Sequence, residues 1–320
     1  MEKKDGRWTL SGDLQNLLKD TELGAPGGVY DGDNLENHYD ISSSGFVFDG
    51  IGPVPDGRSP HDWDNMHVYF APIDSFATAT SCQPRQISVG VFTLSGQCDN
   101  VRFSPDGSMV AFLFQPERNY SDTRIYMGHL NSVGIFDIFK MVVGGGPYLP
   151  PSGFEFAGNS ETMLLKTEDC GRVTIQRLKL SHRSKPETIF KSGVVSGFHP
   201  VVAGNWDRLL VSSTSIVDSS LWQIIDANME EEPRVLSSLT KHGARFGLSH
   251  KMVSEIWYEG CDESFVHTFI IKPNNFDESK KYPWILLPHG GPEASWADGW
   301  STRVRPVFYL THEDGLRDQS

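Results

Sequence analysis

The feature that most constrains this chain is a strand unit recurring roughly every 45–50 residues, the spacing of propeller blades. Its clearest copy is Phe103-Ser104-Pro105-Asp106-Gly107-Ser108-Met109-Val110-Ala111-Phe112-Leu113. This reads as a strand end, a Pro-Asp-Gly turn and a second, apolar strand. Proline presets the first central turn residue, and glycine takes a dihedral that a side chain resists. Degraded copies follow. Phe154-Glu155-Phe156-Ala157-Gly158-Asn159 leads into Met163-Leu164-Leu165, and Phe198-His199-Pro200 leads into Leu209-Leu210-Val211. Phe246-Gly247-Leu248-Ser249 leads into Ile256-Trp257-Tyr258. Runs such as Arg172 to Leu178 and Ser220 to Ile225 alternate with the period of a half-buried strand. Phe46-Val47-Phe48 with His67-Val68-Tyr69-Phe70 forms an earlier unit.

The fold class predicted is mainly β, a partial propeller of about five blades. An open arc of blades leaves strand edges exposed, which lowers stability. Residues 57–64 and 144–151 are expected as surface connections. The 31 glycines, 19 prolines and 19 phenylalanines suit turn-rich β-structure better than a helical bundle.

Charge and targeting signals narrow the partners. A net charge of −13 disfavours nucleic acid and anionic membranes. No apolar run reaches the ~18 residues of a membrane span. The N-terminus, MEKKDGRWTLSGDLQNLLKD, lacks an apolar signal core, so a cytoplasmic location is expected. Cys82, Cys98, Cys170 and Cys261 have no metal-ligand spacing. They read as reduced structural thiols, with a disulfide between neighbouring blades as the alternative. No metal and no cofactor are expected. Asp31 to Glu36 fails the calcium-loop pattern and reads as a polar turn. Asn119-Tyr120-Ser121 reads as an accidental glycosylation sequon.

The other informative stretch is Lys281 to Arg303. Pro283-Trp284-Ile285-Leu286-Leu287-Pro288 reads as one buried strand bounded by prolines. His289-Gly290-Gly291-Pro292 follows it. In α/β-hydrolases a glycine-rich turn at that place aims a backbone N–H at the oxyanion of a tetrahedral intermediate. Taken alone, the tetrapeptide serves equally as an ordinary strand-to-loop turn.

The wider phrase reads Lys272-Pro273-Asn274-Asn275-Phe276-Asp277, Ser279-Lys280-Lys281-Tyr282-Pro283, HGGP, then Trp296-Ala297-Asp298-Gly299-Trp300-Ser301-Thr302-Arg303. It closely resembles the peptidase S9 (prolyl oligopeptidase) family, in its fungal dipeptidyl-peptidase V and acylaminoacyl-peptidase-like branch. There it marks the passage from β-propeller to hydrolase domain. A weaker resemblance extends over residues 40–303.

The resemblance implies a division into a poorly defined segment (1–39), propeller (40–272), start of an α/β-hydrolase domain (273–303) and a tail outside the family pattern (304–320). A closed propeller of this family has seven or eight blades. Both ends therefore look cut, as in a fragment. The implied activity is a serine peptidase releasing short peptides or acylated residues from peptide N-termini. Gly291 would supply one oxyanion-hole N–H. The nucleophile elbow, acid and histidine would follow downstream. Gly193-Val194-Val195-Ser196-Gly197 has the wrong spacing for Gly-x-Ser-x-Gly, and His312 has no nucleophile nearby. The chain as it stands is expected to be inactive, with short peptides as substrates once a catalytic domain completes it; the alternative is a stand-alone propeller that binds without catalysis. Glu230-Glu231-Glu232 reads as a solvated turn rather than an acidic clamp for a peptide amino terminus. Trp296 and Trp300 are expected to pack the loop after the oxyanion turn.

Overall fold

The computed structural model describes residues 2–4, 7–9, 21, 23, 38–52, 66–72, 84–87, 96–116, 122–130, 140–143, 149–180, 184–290 and 295–301. Among them are strands and three short 3-10 turns, with no α-helix. The chain forms two compact units, Met1–Gly145 and Gly146–Ser320. Their boundary falls within the glycine-rich connection read from the sequence.

The first unit holds a two-stranded ribbon, β1 (Glu2–Lys4) with β2 (Arg7–Thr9), and two four-stranded sheets. One sheet is β3 (Tyr39–Ile41), β4 (Gly45–Ile51), β5 (Met66–Pro72) and β6 (Arg85–Gln86), each antiparallel to the next. The other is β7 (Gly96–Phe103), β8 (Met109–Pro116), β9 (Arg124–His129) and β10 (Lys140–Val143), with the same meander. Val47, Val68, Phe70, Cys98, Val101, Phe103, Val110, Phe112 and Phe114 make one core from both sheets. Phe112 is fully buried, a burial that stabilises by about 1.5–3 kcal/mol.

The turn of the clearest repeat forms as its residue types require. Gly107 has φ +70° and donates its N–H to Ser104 O at 2.8 Å. Asp106 Oδ1 accepts from Ser104 Oγ at 2.6 Å and from Ser108 N–H at 3.0 Å. Ser44 Oγ, in the β3–β4 turn, donates to Gly107 O at 3.2 Å and so ties one sheet's turn to the next.

The second unit repeats the pattern. β11 (Pro151–Phe156), β12 (Thr162–Asp169), β13 (Arg172–Lys179) and β14 (Glu187–Phe190) form one antiparallel meander. β15 (Val194–Val202), β16 (Asn205–Thr214), β17 (Leu221–Asp226) and β18 (Arg234–Ser238) form another. A parallel pairing of Val173 with Val194 joins the two into one eight-stranded sheet. Leu164, Ile175, Phe198, Leu209, Val211 and Ile225 lie in their shared core. A hairpin, β19 (Val253–Glu259) with β20 (Phe265–Ile271), completes the strands. The fold is mainly β. Among the described residues, four blade-like meanders and the β19–β20 hairpin fall where the sequence places about five blades.

Two expectations change. Pro283 to Pro288 forms no strand, and Trp284, Ile285 and Leu286 are 80%, 60% and 66% exposed. An isolated strand gains little: its backbone needs a ladder and its side chains need a facing layer, and no described residue pairs with this run. Phe246 lies in the 3-10 turn Ala244–Phe246 rather than at a strand end. Gly243 and Gly247 flank that turn with left-handed φ, which ends any extended run.

Candidate functional site

The segment with the family phrase leaves β20 at Lys272, whose N–H donates to Met252 O at 2.8 Å. It then folds on itself. Asp277 Oδ1 accepts from Ser279 N–H at 3.0 Å and from Ser279 Oγ at 2.7 Å. Tyr282 stacks on Phe276 with ring centroids 5.0 Å apart, and Lys272 Nζ lies 4.5 Å from the Phe276 ring centroid. Past this turn the apolar run is exposed up to His289 and Gly290. A Cβ added to Gly290 would meet open space, so crowding does not explain that glycine. Gly291, the expected oxyanion donor, and Pro292 lie outside the described residues, as do Asp31–Glu36, residues 57–64, Cys82, Asn119 and His312.

The phrase returns to the second unit at Ser295–Ser301 and is anchored there. Asp298 is 8% exposed. Its backbone N–H donates to Gly171 O at 2.6 Å, and its Oδ1 accepts the Ile216 N–H at 3.0 Å. Its other oxygen lies 3.6 Å from Arg172 Nε. Trp296 Nε1 donates to Leu287 O at 2.7 Å, and Trp300 packs on Phe246 with centroids 6.0 Å apart. Ser295 Oγ bonds the Glu168 carboxylate. The two tryptophans thus pack the loop after the HGGP turn, as expected.

Gly171 makes this docking possible. With φ +69° it turns the chain between β12 and β13, and a Cβ there would sit 2.6 Å from Trp296 O. Next to it, Arg172 bonds Glu255 and lies over the Phe269 ring, 5.6 Å from its centroid. His267 Nε2 is 2.8 Å from the second Glu255 oxygen. The bond from Arg172 is the main reason the Glu255 carboxyl falls to about 2, with His267 adding to it. The same bond raises the Arg172 guanidinium. A carboxylate held that low neither gives nor takes protons near neutral pH. Arg172 with Glu255 and Asp298 therefore forms an ionic anchor, to which His267 adds a contact with Glu255.

Other residues singled out in the sequence have structural roles. Ser196 is an exposed residue on β15, where Gly193 takes φ +61° just before the strand, so this is no nucleophile elbow. Glu230–Glu232 is an exposed turn between β17 and β18, with Glu231 bonded to Arg208 at 2.7 Å and the Glu230 and Glu231 N–H groups held by Asp226. Cys98 is buried, Cys170 half-buried and Cys261 exposed, all as free thiols. Burial, then the bond to Asp169, pushes the Cys170 thiol up, opposite to what a reactive thiolate needs.

One group among the described residues has the geometry to hold a metal ion: His38, Asp49 and Asp99 in the first unit. His38 Nδ1 lies 3.0 Å from both Asp49 oxygens and 3.7 Å from Asp99 Oδ1. Burial pushes the Asp49 carboxyl up to about 7, against the pull of its bond to His38. Spacings of 11 and 50 residues carry no ligand motif, so sequence reasoning missed this group. Arg172, Glu255 and His267 gave no signal for the same reason.

No protein-family model matches the chain. Curated relatives do. It is 27% identical over 309 residues to the probable dipeptidyl-peptidase 5 of Arthroderma benhamiae, covering 95% of this chain and 41% of that protein. It is 28% identical over 309 residues to dipeptidyl-peptidase 5 of Aspergillus fumigatus, covering 93% and 40%. Among solved structures, the acylaminoacyl peptidase of Pyrococcus horikoshii superimposes with a TM-score of 0.48 at 12% identity, over 74% of this chain and 32% of that one. The chain spans about two-fifths of the length of the curated relatives it matches. It is a relative of the dipeptidyl-peptidase 5 proteins, in keeping with the resemblance to the prolyl oligopeptidase (S9) family.

Proposed function

We propose that this chain is the propeller-side portion of a dipeptidyl-peptidase 5-like serine peptidase, acting on the N-termini of short peptides. The observation that carries this reading is the alignment of 95% of the chain with proteins of that name. The ordered phrase from Lys272 to Arg303 supports it. In the complete enzyme a serine attacks the scissile carbonyl, a histidine takes and returns the proton, and an acid orients the histidine. The Gly291 N–H is one oxyanion donor, and the residue after the serine supplies the other. Losing one such donor costs roughly 10²–10³ in rate. The blades act as a size filter that admits short peptides.

The anchor at Asp298 fits this role. It fixes the segment directly after the HGGP turn to the blade edge at Gly171, Arg172 and Ile216. A turn that must hold an oxyanion donor within a few tenths of an ångström gains from a rigid support on either side.

The test begins with the transcript across the codon for Arg303. A frame that continues through Gly-x-Ser-x-Gly, a later acid and a histidine supports the proposal. The protein expressed from that frame should react with a fluorophosphonate probe at the elbow serine and release dipeptides from free N-termini. A labelled protein that ignores dipeptidyl substrates would leave the family standing and overturn the dipeptidyl specificity. Absence of labelling on the folded product would overturn the serine-peptidase reading.

A further inference from the structure

The geometry points to a divalent transition-metal site, zinc being the best fit, formed by His38, Asp49 and Asp99 in the first unit. Three segments converge there: the residue before β3, strand β4, and the irregular part of β7. Two donors bound to one ion at about 2.0–2.2 Å lie about 3.0–3.7 Å apart when their angle is near 90–120°. The nitrogen-to-oxygen distances are 3.0, 3.0 and 3.7 Å, and all three ligand atoms lie within 4.8 Å of one another. Both nitrogen-to-oxygen separations match two donors on one ion. One imidazole and two carboxylates are a donor set that suits zinc, with a coordination position left for water.

A second observation points the same way. Asp49 is 0% exposed, and both of its oxygens face the same nitrogen of His38. That nitrogen carries at most one hydrogen, whereas a carboxylate offers about four lone-pair sites. Among the described residues, no other donor bonds the Asp49 side chain. A fully buried carboxylate served by one N–H is under-compensated, and a cation between the two groups would satisfy it. Arg102 is the other charge acting on the pair, and it also donates to Val101 O at 2.9 Å.

The backbone is shaped for this convergence. The pairing of β7 with β8 shifts register between Asp99 and Arg102, and Asn100 takes φ 51° within that shift. Such irregularities re-aim side chains, and this one brings Asp99 to His38. Asn100 N–H bonds Asp99 Oδ1, and Asp49 N–H bonds His38 O at 3.0 Å, which holds both ligands in place. The Asp99 side chain is 49% exposed and provides the route in from solvent.

The test uses the untagged full chain, stripped with chelator and titrated with zinc alone by calorimetry. One zinc per chain is expected, with a raised midpoint of thermal unfolding that reverses on adding chelator. D99N is the decisive variant, because its half-exposed position spares the fold. It should weaken zinc binding about tenfold or more, as should H38Q and D49N where circular dichroism shows them folded. X-ray absorption at the zinc edge should show one nitrogen among oxygen ligands. Absence of stoichiometric zinc binding, or binding unaffected by D99N, would overturn the proposal and leave a buried ion pair.

Discussion

Replacing Asp298 by alanine probes how the segment after the HGGP turn is held. The substitution removes the acceptor for Ile216 N–H at 3.0 Å, a charge-assisted bond worth about 1.5–3 kcal/mol. It also removes the partner of Arg172 at 3.6 Å. The gross attraction there is about 5 kcal/mol at an effective dielectric constant near 20. Desolvation of the two ions, 18% and 11% exposed, offsets most of it. The expected loss for Asp298→Ala is therefore about 2–3 kcal/mol. Asp298→Asn keeps an acceptor for Ile216 and loses only the ion pair, at about 1 kcal/mol. The loss is local, so hydrogen exchange read by mass spectrometry is the suitable assay. Alanine should lower protection of Ile216 and of residues 295–301 by roughly 30- to 150-fold, and asparagine by under tenfold. Unchanged protection in the alanine variant would refute the docking argument. Equal damage from both variants would show that charge, rather than the bond to Ile216, holds the segment.

Two further perturbations test the same anchor. Gly171→Ala should cost about 1–2 kcal/mol from the left-handed backbone alone. It should also release residues 295–301, because the new Cβ would lie 2.6 Å from Trp296 O; urea denaturation and exchange measure the two effects. Glu255 provides the pH test. Its pKa is depressed to about 2 from an ordinary 4.5, so its contribution is complete above about 4.5 and is lost as pH falls towards 2. Its side chain is 32% exposed and solvent screens the pair, so about 1 kcal/mol is expected. Glu255→Gln should lower the urea midpoint at pH 7 and flatten its decline between pH 5 and pH 2. An unaltered decline would place the acid sensitivity elsewhere.

What the sequence determined by itself was local and periodic. Apolar runs after turn residues placed β8, β12 and β16, and alternating positions placed β13 and β17, since residues two apart share a face of a strand. Ser104 to Ser108 announced its turn through proline, aspartate and glycine, whose preferences act within four residues. The family phrase marked out the segment that docks at Ser295–Ser301. Tertiary structure alone decided which distant groups meet. Arg172 and Glu255 are 83 residues apart, and Asp298 and Ile216 are 82 apart, yet side-chain bonds between separate elements bring each pair into contact. His38 reaches Asp99 only because β7 departs from regular register, an irregularity without a composition signal. The exposed run at Trp284 to Leu286 makes the same point in reverse. Its pattern is that of a buried strand, but burial belongs to the partner layer as much as to the strand.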